Sequence, residues 1–316
     1  MRSSGGRSSD RRTRLIPEPH KSGIAVVSNR TVEDPSLAPA VSRQIVHGRT
    51  RSVHAGATDP GTPVRRLASP AVARREPTMS PTVVLIHGAF ADASGWGGVI
   101  SRLSAAGISA YAPANPLRSV SGDAAYVRSF VSTIEGPVIL VGHSYGGAVI
   151  TNAAVGADNV KALVYIAAFA LEEGEAAGAA TALGADGPPP DLTQVITVRP
   201  FPDAGEGNAD AYLNVDIFPQ TFCQDLPPEV GAVMAVSQRP AALATLGEPS
   251  GPPAWKTLPS WYLVASSDRV IPPAAERAMA ARAGSTTVEI DSSHVAMISH
   301  PDEVAALIQQ AVAGVG

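Results

Sequence analysis

The strongest constraint in this chain is an alternation, beginning at Pro81, between short apolar runs and longer helical patterns. The runs are rich in β-branched residues: TVVLIHG, ISAYAP, PVILVGHS, KALVYIAAF, SWYLVASSD and TTVEIDSSH. Helical patterns cover residues 97–106, 122–134, 146–155, 273–283 and 301–312. Strands that lack polar alternation are buried on both faces. The pattern therefore predicts an α/β fold, with a mostly parallel sheet and helices on both of its faces.

One internal region departs from this alternation. Residues 171–259 hold 13 of the 28 prolines, yet they keep helical patterns at 228–237 and 241–246. A loop of that length without its own structure is unusual inside a domain. We therefore expect an inserted, partly helical cap within a domain that spans residues 79–316.

The first 78 residues differ in kind from the rest. Residues 1–78 carry 14 basic and 6 acidic residues and no aromatic side chain. Such a segment buries too little apolar surface to offset chain entropy, so we expect a disordered basic extension. Met79 stands just before the first strand and offers an alternative start of translation, which would place residues 1–78 outside the native protein.

Composition narrows the classes of partner and location. No apolar stretch is long enough to cross a bilayer, and no basic block is dense enough to indicate nucleic-acid binding. Cys223 is the single cysteine, which excludes an internal disulfide. We expect a soluble, cytoplasmic protein that acts on a small molecule without a cofactor or metal ion. The oligomeric state stays open.

The segment Gly142-His143-Ser144-Tyr145-Gly146 fits the pattern G-x-S-x-G. An apolar run precedes it and a helical pattern follows it, which is the order required for a nucleophile on a tight strand-to-helix turn. Small residues around the serine let such a strained turn pack. Ser144 is therefore the candidate nucleophile, against the alternative of a polar residue in a glycine-rich loop.

The run LIHGAF, upstream of that turn, supplies the second element of an acyl-transfer site. Two backbone N–H groups must face the oxyanion that develops in the transition state. One comes from the residue after the nucleophile, Tyr145, and the other from Ala89, with Phe90 as the alternative. The side chains of Phe90 and Tyr145 are also candidates to line the substrate pocket.

A serine hydroxyl needs a base and a carboxylate that orients the base. Downstream of Ser144 the chain has two histidines, of which His294 follows a strand and His300 directly precedes Pro301. His294 is therefore the candidate base. Asp268 directly follows another strand and is the candidate carboxylate, with the rivals Asp291, Glu172 and Glu173.

With HGAF, GHSYGG, SSDRVIPP and SSHVAMISHPDEVAALI in this order, residues 81–316 resemble the α/β-hydrolase superfamily. They are most similar to the small esterases grouped with plant methylesterases and hydroxynitrile lyases. The resemblance implies a cap between two late strands and a triad in the order Ser, Asp, His. The lyases of this group have a threonine and a lysine where this chain has Gly88 and Val295, so lyase activity of their type is not expected.

The residues and the resemblance together predict a serine hydrolase that cleaves carboxylic esters of small molecules. The cap composition predicts a mainly apolar pocket. C–C bond or lactone hydrolysis and cofactor-free lyase or peroxidase chemistry are alternatives, because they use the same triad. A non-catalytic ligand-binding module on the same fold is a third interpretation, which the complete triad disfavours.

Overall fold

The computed structural model describes residues 79–184 and 194–315. The extension predicted for residues 1–78 lies outside the described residues. Elements are numbered here in chain order over the described ranges.

A six-stranded parallel sheet forms the centre of the fold, with the strand order β2-β1-β3-β4-β8-β9. Its strands, in chain order, are β1 (Thr82–Ile86), β2 (Ala110–Tyr111), β3 (Val138–Ser144), β4 (Val160–Ala168), β8 (Ser260–Ala265) and β9 (Thr286–Ile290). Every residue of β3 is buried, as expected of a central strand covered on both faces. The predicted α/β-hydrolase fold is confirmed.

Helices follow the strands as the periodicity predicts. They are α1 (Gly97–Ala105), α2 (Val120–Val131), α3 (Tyr145–Ala153), α8 (Pro273–Arg282), α9 (Ala296–Ser299) and α10 (Pro301–Val315). Helices α1 and α10 pack against each other, and α2 packs against α3. Crossovers between parallel strands are right-handed as a rule, so with this strand order the two pairs are expected to cover opposite faces of the sheet.

Between β4 and β8 the chain forms short elements above the main sheet. They are α4 (Ala177–Ala180), β5 (Ile196–Arg199), β6 (Asp210–Leu213), α5 (Phe218–Phe222), α6 (Pro228–Ser237), β7 (Ala241–Ala242) and α7 (Ala244–Gly247). Strands β5, β6 and β7 form a separate antiparallel sheet. We call residues 171–259 the cap.

The cap differs from the expectation at residues 241–246, where the alanine-rich pattern predicts a helix. Ala241 and Ala242 instead pair with β6, and the N–H of Ala242 donates to the carbonyl oxygen of Leu117 at 2.9 Å. Pairing with two neighbours outweighs the intrinsic helix preference of alanine, which amounts to tenths of a kcal/mol per residue. The helix that follows, α7, is correspondingly short.

Across residues 79–184 and 194–315, no helix combines the length and the hydropathy that a bilayer crossing requires.

Candidate active site

Ser144 is the last residue of β3, and α3 begins at the next residue. Its backbone has φ 53° and ψ −125°, a strained conformation for a residue other than glycine. The glycines on either side make this turn possible. A Cβ at Gly142 would lie 2.5 Å from the carbonyl oxygen of Gly146, and a Cβ at Gly146 would collide with the carbonyl oxygen of Ile86. This local geometry is that of a nucleophile elbow.

His294 and Asp268 meet at the same edge of the sheet. Asp268 lies in the loop after β8 and His294 in the loop after β9. The Nδ1 atom of His294 is 2.5 Å from Oδ2 of Asp268, and both side chains are fully buried. The N–H groups of Val270 and Ile271 donate to Oδ1 of Asp268 at 2.6 and 3.0 Å. The Asp268 carboxylate is therefore fixed by three N–H donors.

The rival carboxylates and the second histidine lie elsewhere. Asp291 accepts a hydrogen bond from Ser267 Oγ at 2.6 Å, and Glu172 pairs with Lys256 at the surface. The Nδ1 atom of His300 is 3.8 Å from a carboxylate oxygen of Glu303 on α10. Of the carboxylates considered from the sequence, Asp268 is the one that contacts His294.

The contact between Asp268 and His294 sets the chemistry of the imidazole. Because Nδ1 donates to the carboxylate, Nε2 is left as the acceptor. Nε2 is buried and has no hydrogen-bond partner within the described ranges. The Ser144 hydroxyl is not bonded to it in this structure, and such bonds in ligand-free sites commonly tighten only when substrate binds.

A mainly apolar cavity of about 120 Å³ adjoins the nucleophile. Ala89, Phe90, Ser144 and Tyr145 form one side of it. The cap contributes the other side through Ala177, Thr181, Ile196, Leu213 and Leu246. All the residues that the sequence analysis proposes for the oxyanion hole and the substrate pocket therefore line the cavity that holds Ser144.

The backbone around Ala89 suits an oxyanion hole. Neither the N–H of Ala89 nor that of Tyr145, the first residue of α3, donates a hydrogen bond within residues 79–184 and 194–315. A Cβ at Gly88 would lie 2.6 Å from Cβ of Ser144, so this loop lies directly against the nucleophile. Phe90 has φ 62°, which turns the chain sharply after Ala89.

Phe90 also lines a second cavity of about 290 Å³, together with residues that include Asp92, Met234, Gln238 and Met297. Ser144 does not line this second cavity. The smaller cavity is the candidate substrate pocket because it contains the nucleophile.

Two further histidines support the site from within. His87 accepts from the N–H of Asn115 at its Nε2 and donates from Nδ1 to the carbonyl oxygen of Gly88, both at 2.9 Å. His143 donates from Nε2 to the backbone oxygen of His294 at 2.9 Å. Burial lowers the pKa of both His87 and His143, so these imidazoles stay neutral.

The cap supplies contacts that sequence reasoning missed. Gln224 donates to the carbonyl oxygen of Ser267 at 2.7 Å, and Asp225 accepts from the N–H of Ser293 at 2.8 Å. The ring of Phe222 lies edge-on to His294 at 5.0 Å between centroids. These cap residues hold the two loops that carry Asp268 and His294. Their role could not be predicted, because the proline-rich sequence around these cap residues has no periodic pattern.

Sequence reasoning also missed Glu276, which is fully buried on α8. Its helical neighbours Ala275, Met279 and Ala280 form the apolar face that packs on the sheet. An acidic residue on such a face is the signal that could have revealed it.

A family model described as "Alpha/beta hydrolase family" matches residues 83–307. The chain belongs to that family and is an enzyme of that class. A curated relative, "Alpha/beta hydrolase nvfD" from Aspergillus novofumigatus (strain IBT 16806), is 25% identical over 256 residues, which cover 74% of this chain and 97% of that protein.

Solved structures with the same fold include a pyrethroid hydrolase and an esterase. The pyrethroid hydrolase from Sphingobium faniae JZ-2 superposes with a TM-score of 0.61 at 23% identity, covering 74% of this chain and 97% of that one. Polyneuridine aldehyde esterase superposes with a TM-score of 0.63 at 18% identity, covering 74% of this chain and 100% of that one. The resemblance to small esterases is thus confirmed at the level of the fold.

Proposed function

We propose that this enzyme is a serine hydrolase that cleaves carboxylic esters of small molecules through a covalent acyl-enzyme. The observation that carries the proposal is the buried pair of Asp268 and His294, which leaves His294 Nε2 as an unpaired acceptor at the edge where Ser144 lies on a strained turn. A neutral imidazole with a free acceptor nitrogen is the form that activates a serine hydroxyl.

The geometry supports the following sequence of steps. Ser144 Oγ attacks the ester carbonyl carbon while His294 Nε2 takes the hydroxyl proton. The N–H groups of Ala89 and Tyr145 donate to the oxyanion of the tetrahedral intermediate, and each such donor is worth about 3–4 kcal/mol of barrier in comparable sites. The C–O bond then breaks as His294 returns the proton to the leaving alcohol. Water, deprotonated by His294, hydrolyses the acyl-enzyme.

The cavity supports a preference for compact, apolar acyl groups. Its walls are mainly aliphatic and aromatic, and Phe90 lines both this cavity and the larger one. An apolar wall favours apolar acyl chains by about 0.8 kcal/mol per buried methylene. The names of two relatives, a pyrethroid hydrolase and an esterase, agree with ester substrates. The single cysteine cannot form an internal disulfide, so the protein does not require an oxidising compartment, and a cytoplasmic location is part of the proposal.

A panel of p-nitrophenyl esters with acyl chains of increasing length tests this function. We expect turnover that is highest for short and medium chains and covalent labelling of Ser144 by a fluorophosphonate probe, located by peptide mapping. Ser144→Ala should abolish both. Ser104→Ala, which changes an exposed serine on α1, is the matched control and should retain both. Folded wild-type protein that hydrolyses none of the esters and resists the probe would contradict the proposal.

A further inference from the structure

Glu276 is a carboxyl group buried in the apolar interior of the enzyme. It lies on α8 and is fully shielded from solvent. Its Oε2 atom accepts a hydrogen bond from the N–H of Ala265, the last residue of β8, at 3.0 Å. Its Oε1 atom has no N–H or O–H donor within residues 79–184 and 194–315. An ionised carboxylate with one donor in such a site would be strongly destabilised.

The group that acts on Glu276 most strongly after burial is the carboxyl group of Asp268, whose charge and side-chain hydrogen bonding both raise the pKa of Glu276. Neither carboxylate can donate when ionised, so a hydrogen bond between them requires one proton on the pair. Asp268 already accepts from Val270 N–H, Ile271 N–H and His294 Nδ1–H, whereas Glu276 accepts from Ala265 N–H alone. The negative charge is therefore better stabilised on Asp268, and the proton belongs to Glu276.

The other ionisable groups near Glu276 do not change this assignment. Tyr262 faces it from β8 as a buried neutral phenol, whose hydroxyl donates to the carbonyl oxygen of Ala168. Arg277, the next residue on α8, points to the surface and pairs with Glu289. Burial, followed by the charge of Asp268, raises the pKa of Glu276 well above its usual range.

We propose that Glu276 is held as a neutral carboxylic acid that donates its O–H to the Asp268 carboxylate, and that it acts as a positioning residue for the triad. This inference rests on the proposed function of Asp268 and His294. The bond supports the carboxylate from the side of α8, while the backbone of residues 270–271 supports it from the loop. It also withdraws negative charge from Asp268, which sets how strongly Asp268 stabilises the imidazolium.

The protonation state has a readout that does not depend on activity. An infrared difference spectrum between wild type and Glu276→Gln at neutral pH should show the C=O band of a carboxylic acid in the wild type alone. Glu289→Gln, which changes an exposed glutamate, is the matched control and should show the loss of a carboxylate band instead. A carboxylate band lost from Glu276→Gln would overturn the proposal, whatever the outcome of the ester assay.

The positioning role is tested with two variants that differ in one property. Glu276→Gln is isosteric and neutral, and its amide can donate to Asp268 while its oxygen accepts from Ala265. Glu276→Leu removes the donor. We expect kcat to fall by about 10–100-fold in the leucine variant and to stay within about threefold of wild type in the glutamine variant, with KM little changed in both.

The pH dependence of kcat/KM distinguishes a positioning role of Glu276 from a role in packing alone. Losing the donor concentrates charge on Asp268 and stabilises the imidazolium, so the acidic limb of kcat/KM should move to higher pH in Glu276→Leu and stay in place in Glu276→Gln. If Glu276 were ionised, both variants would remove a negative charge and the limb would move to lower pH in both. That result, or equal loss of kcat in both variants without movement of the limb, would overturn the proposal. Should Glu276→Leu fail to fold, Glu276→Gln and the infrared band still decide it.

Discussion

The carboxyl edge of the main sheet and the cap hold the two halves of the site by different means. At the sheet edge, Ser144 ends the fully buried strand β3, Asp268 lies in the loop after the largely buried β8, and His294 lies in the loop after the edge strand β9. All three side chains are almost completely shielded from solvent. In the cap, strand β5 has four residues, three of them exposed, and β7 has two residues. In the main sheet, backbone hydrogen bonds between neighbouring strands position the reacting groups. In the cap, short elements that contact one another through side chains shape the pocket. We therefore expect the cap, which shapes the pocket, to be locally less stable than the sheet edge, which carries the reacting groups.

The two regions meet in the segment from Gln220 to Asp225. Besides the contacts of Gln224 and Asp225, the carbonyl oxygen of Gln220 accepts from the guanidinium of Arg269 at 2.8 Å. This segment touches the loops after both β8 and β9. The cap therefore does more than cover the pocket, because it also restrains the loops that carry the candidate base and carboxylate.

The largest expected effect comes from the sheet edge. Asp268→Asn should lower kcat by about 10⁴-fold, because the amide no longer holds the imidazole in the tautomer with a free Nε2. The measurement is steady-state hydrolysis of p-nitrophenyl butyrate, with circular dichroism to show that the fold is kept. A loss below about tenfold in folded protein would mean that the sheet edge does not control the chemistry.

A pair of glycine substitutions compares the stability of the two regions. Gly146→Ala places a Cβ against the backbone of Ile86 and should lower the free energy of unfolding by about 1–3 kcal/mol or more. Gly247→Ala, at the end of cap helix α7, meets no atom within 4 Å and should raise it by a few tenths to about 1 kcal/mol. Urea unfolding measures both. Equal decreases in the free energy of unfolding of the two variants would show that the cap is packed as tightly as the elbow.

Phe90→Ala tests the boundary between the two cavities. Because Phe90 lines both the cavity of about 120 Å³ and that of about 290 Å³, we expect removal of its ring to join them. We expect the ratio of kcat/KM for long over short acyl esters to rise by about tenfold, in line with a few methylenes newly accommodated. Phe130→Ala removes a ring that packs on Tyr111, away from both cavities, and should leave the ratio unchanged. An unchanged ratio in Phe90→Ala would remove Phe90 from the determinants of selectivity.

The smallest expected effect is the loss of free energy of unfolding at acidic pH. The sheet edge and the cap contribute to it unequally. The cap contains no histidine, whereas His87 and His143 lie buried at the sheet edge with lowered pKa values. In the unfolded state they take up protons below about pH 6.5, and in the native state they resist protonation. The contribution of these two histidines to the free energy of unfolding is therefore fully present above that pH. It is lost as the pH falls, by up to about 1.4 kcal/mol per pH unit for each histidine.

His87→Asn checks this assignment. The variant should show a shallower fall in the free energy of unfolding between pH 7 and pH 5.5 than the wild type, because one of the two buried titrating groups is gone. Urea unfolding at a series of pH values provides the slope. An identical slope in both proteins would show that His87 does not resist protonation in the native state.

Several parts of the fold and site were accessible from the sequence because their signals are local. Strands β1, β3, β4 and β8 are mainly apolar runs. Ser144 ends β3, and Asp268 and His294 lie in the loops a few residues after β8 and β9. Parallel strands end at a common edge, so Ser144, Asp268 and His294 were expected to converge there. Strands β5 to β7 were not predicted, since their short, mixed sequences pair only because neighbouring cap segments are brought alongside.

Local patterns in the chain were enough to predict the order of the main-sheet strands and helices, the elbow around Ser144 and the candidate base and carboxylate. Periodicity and glycine spacing act over a few residues and can be read from a linear chain. Three relations became visible only in the folded protein: the interaction of Glu276 with Asp268, the hydrogen bond from Ser293 N–H to Asp225, and the position of Phe90 in the walls of two cavities. Those relations join segments far apart in the chain or depend on packing, and their energies come from burial and hydrogen bonding that exist only after folding.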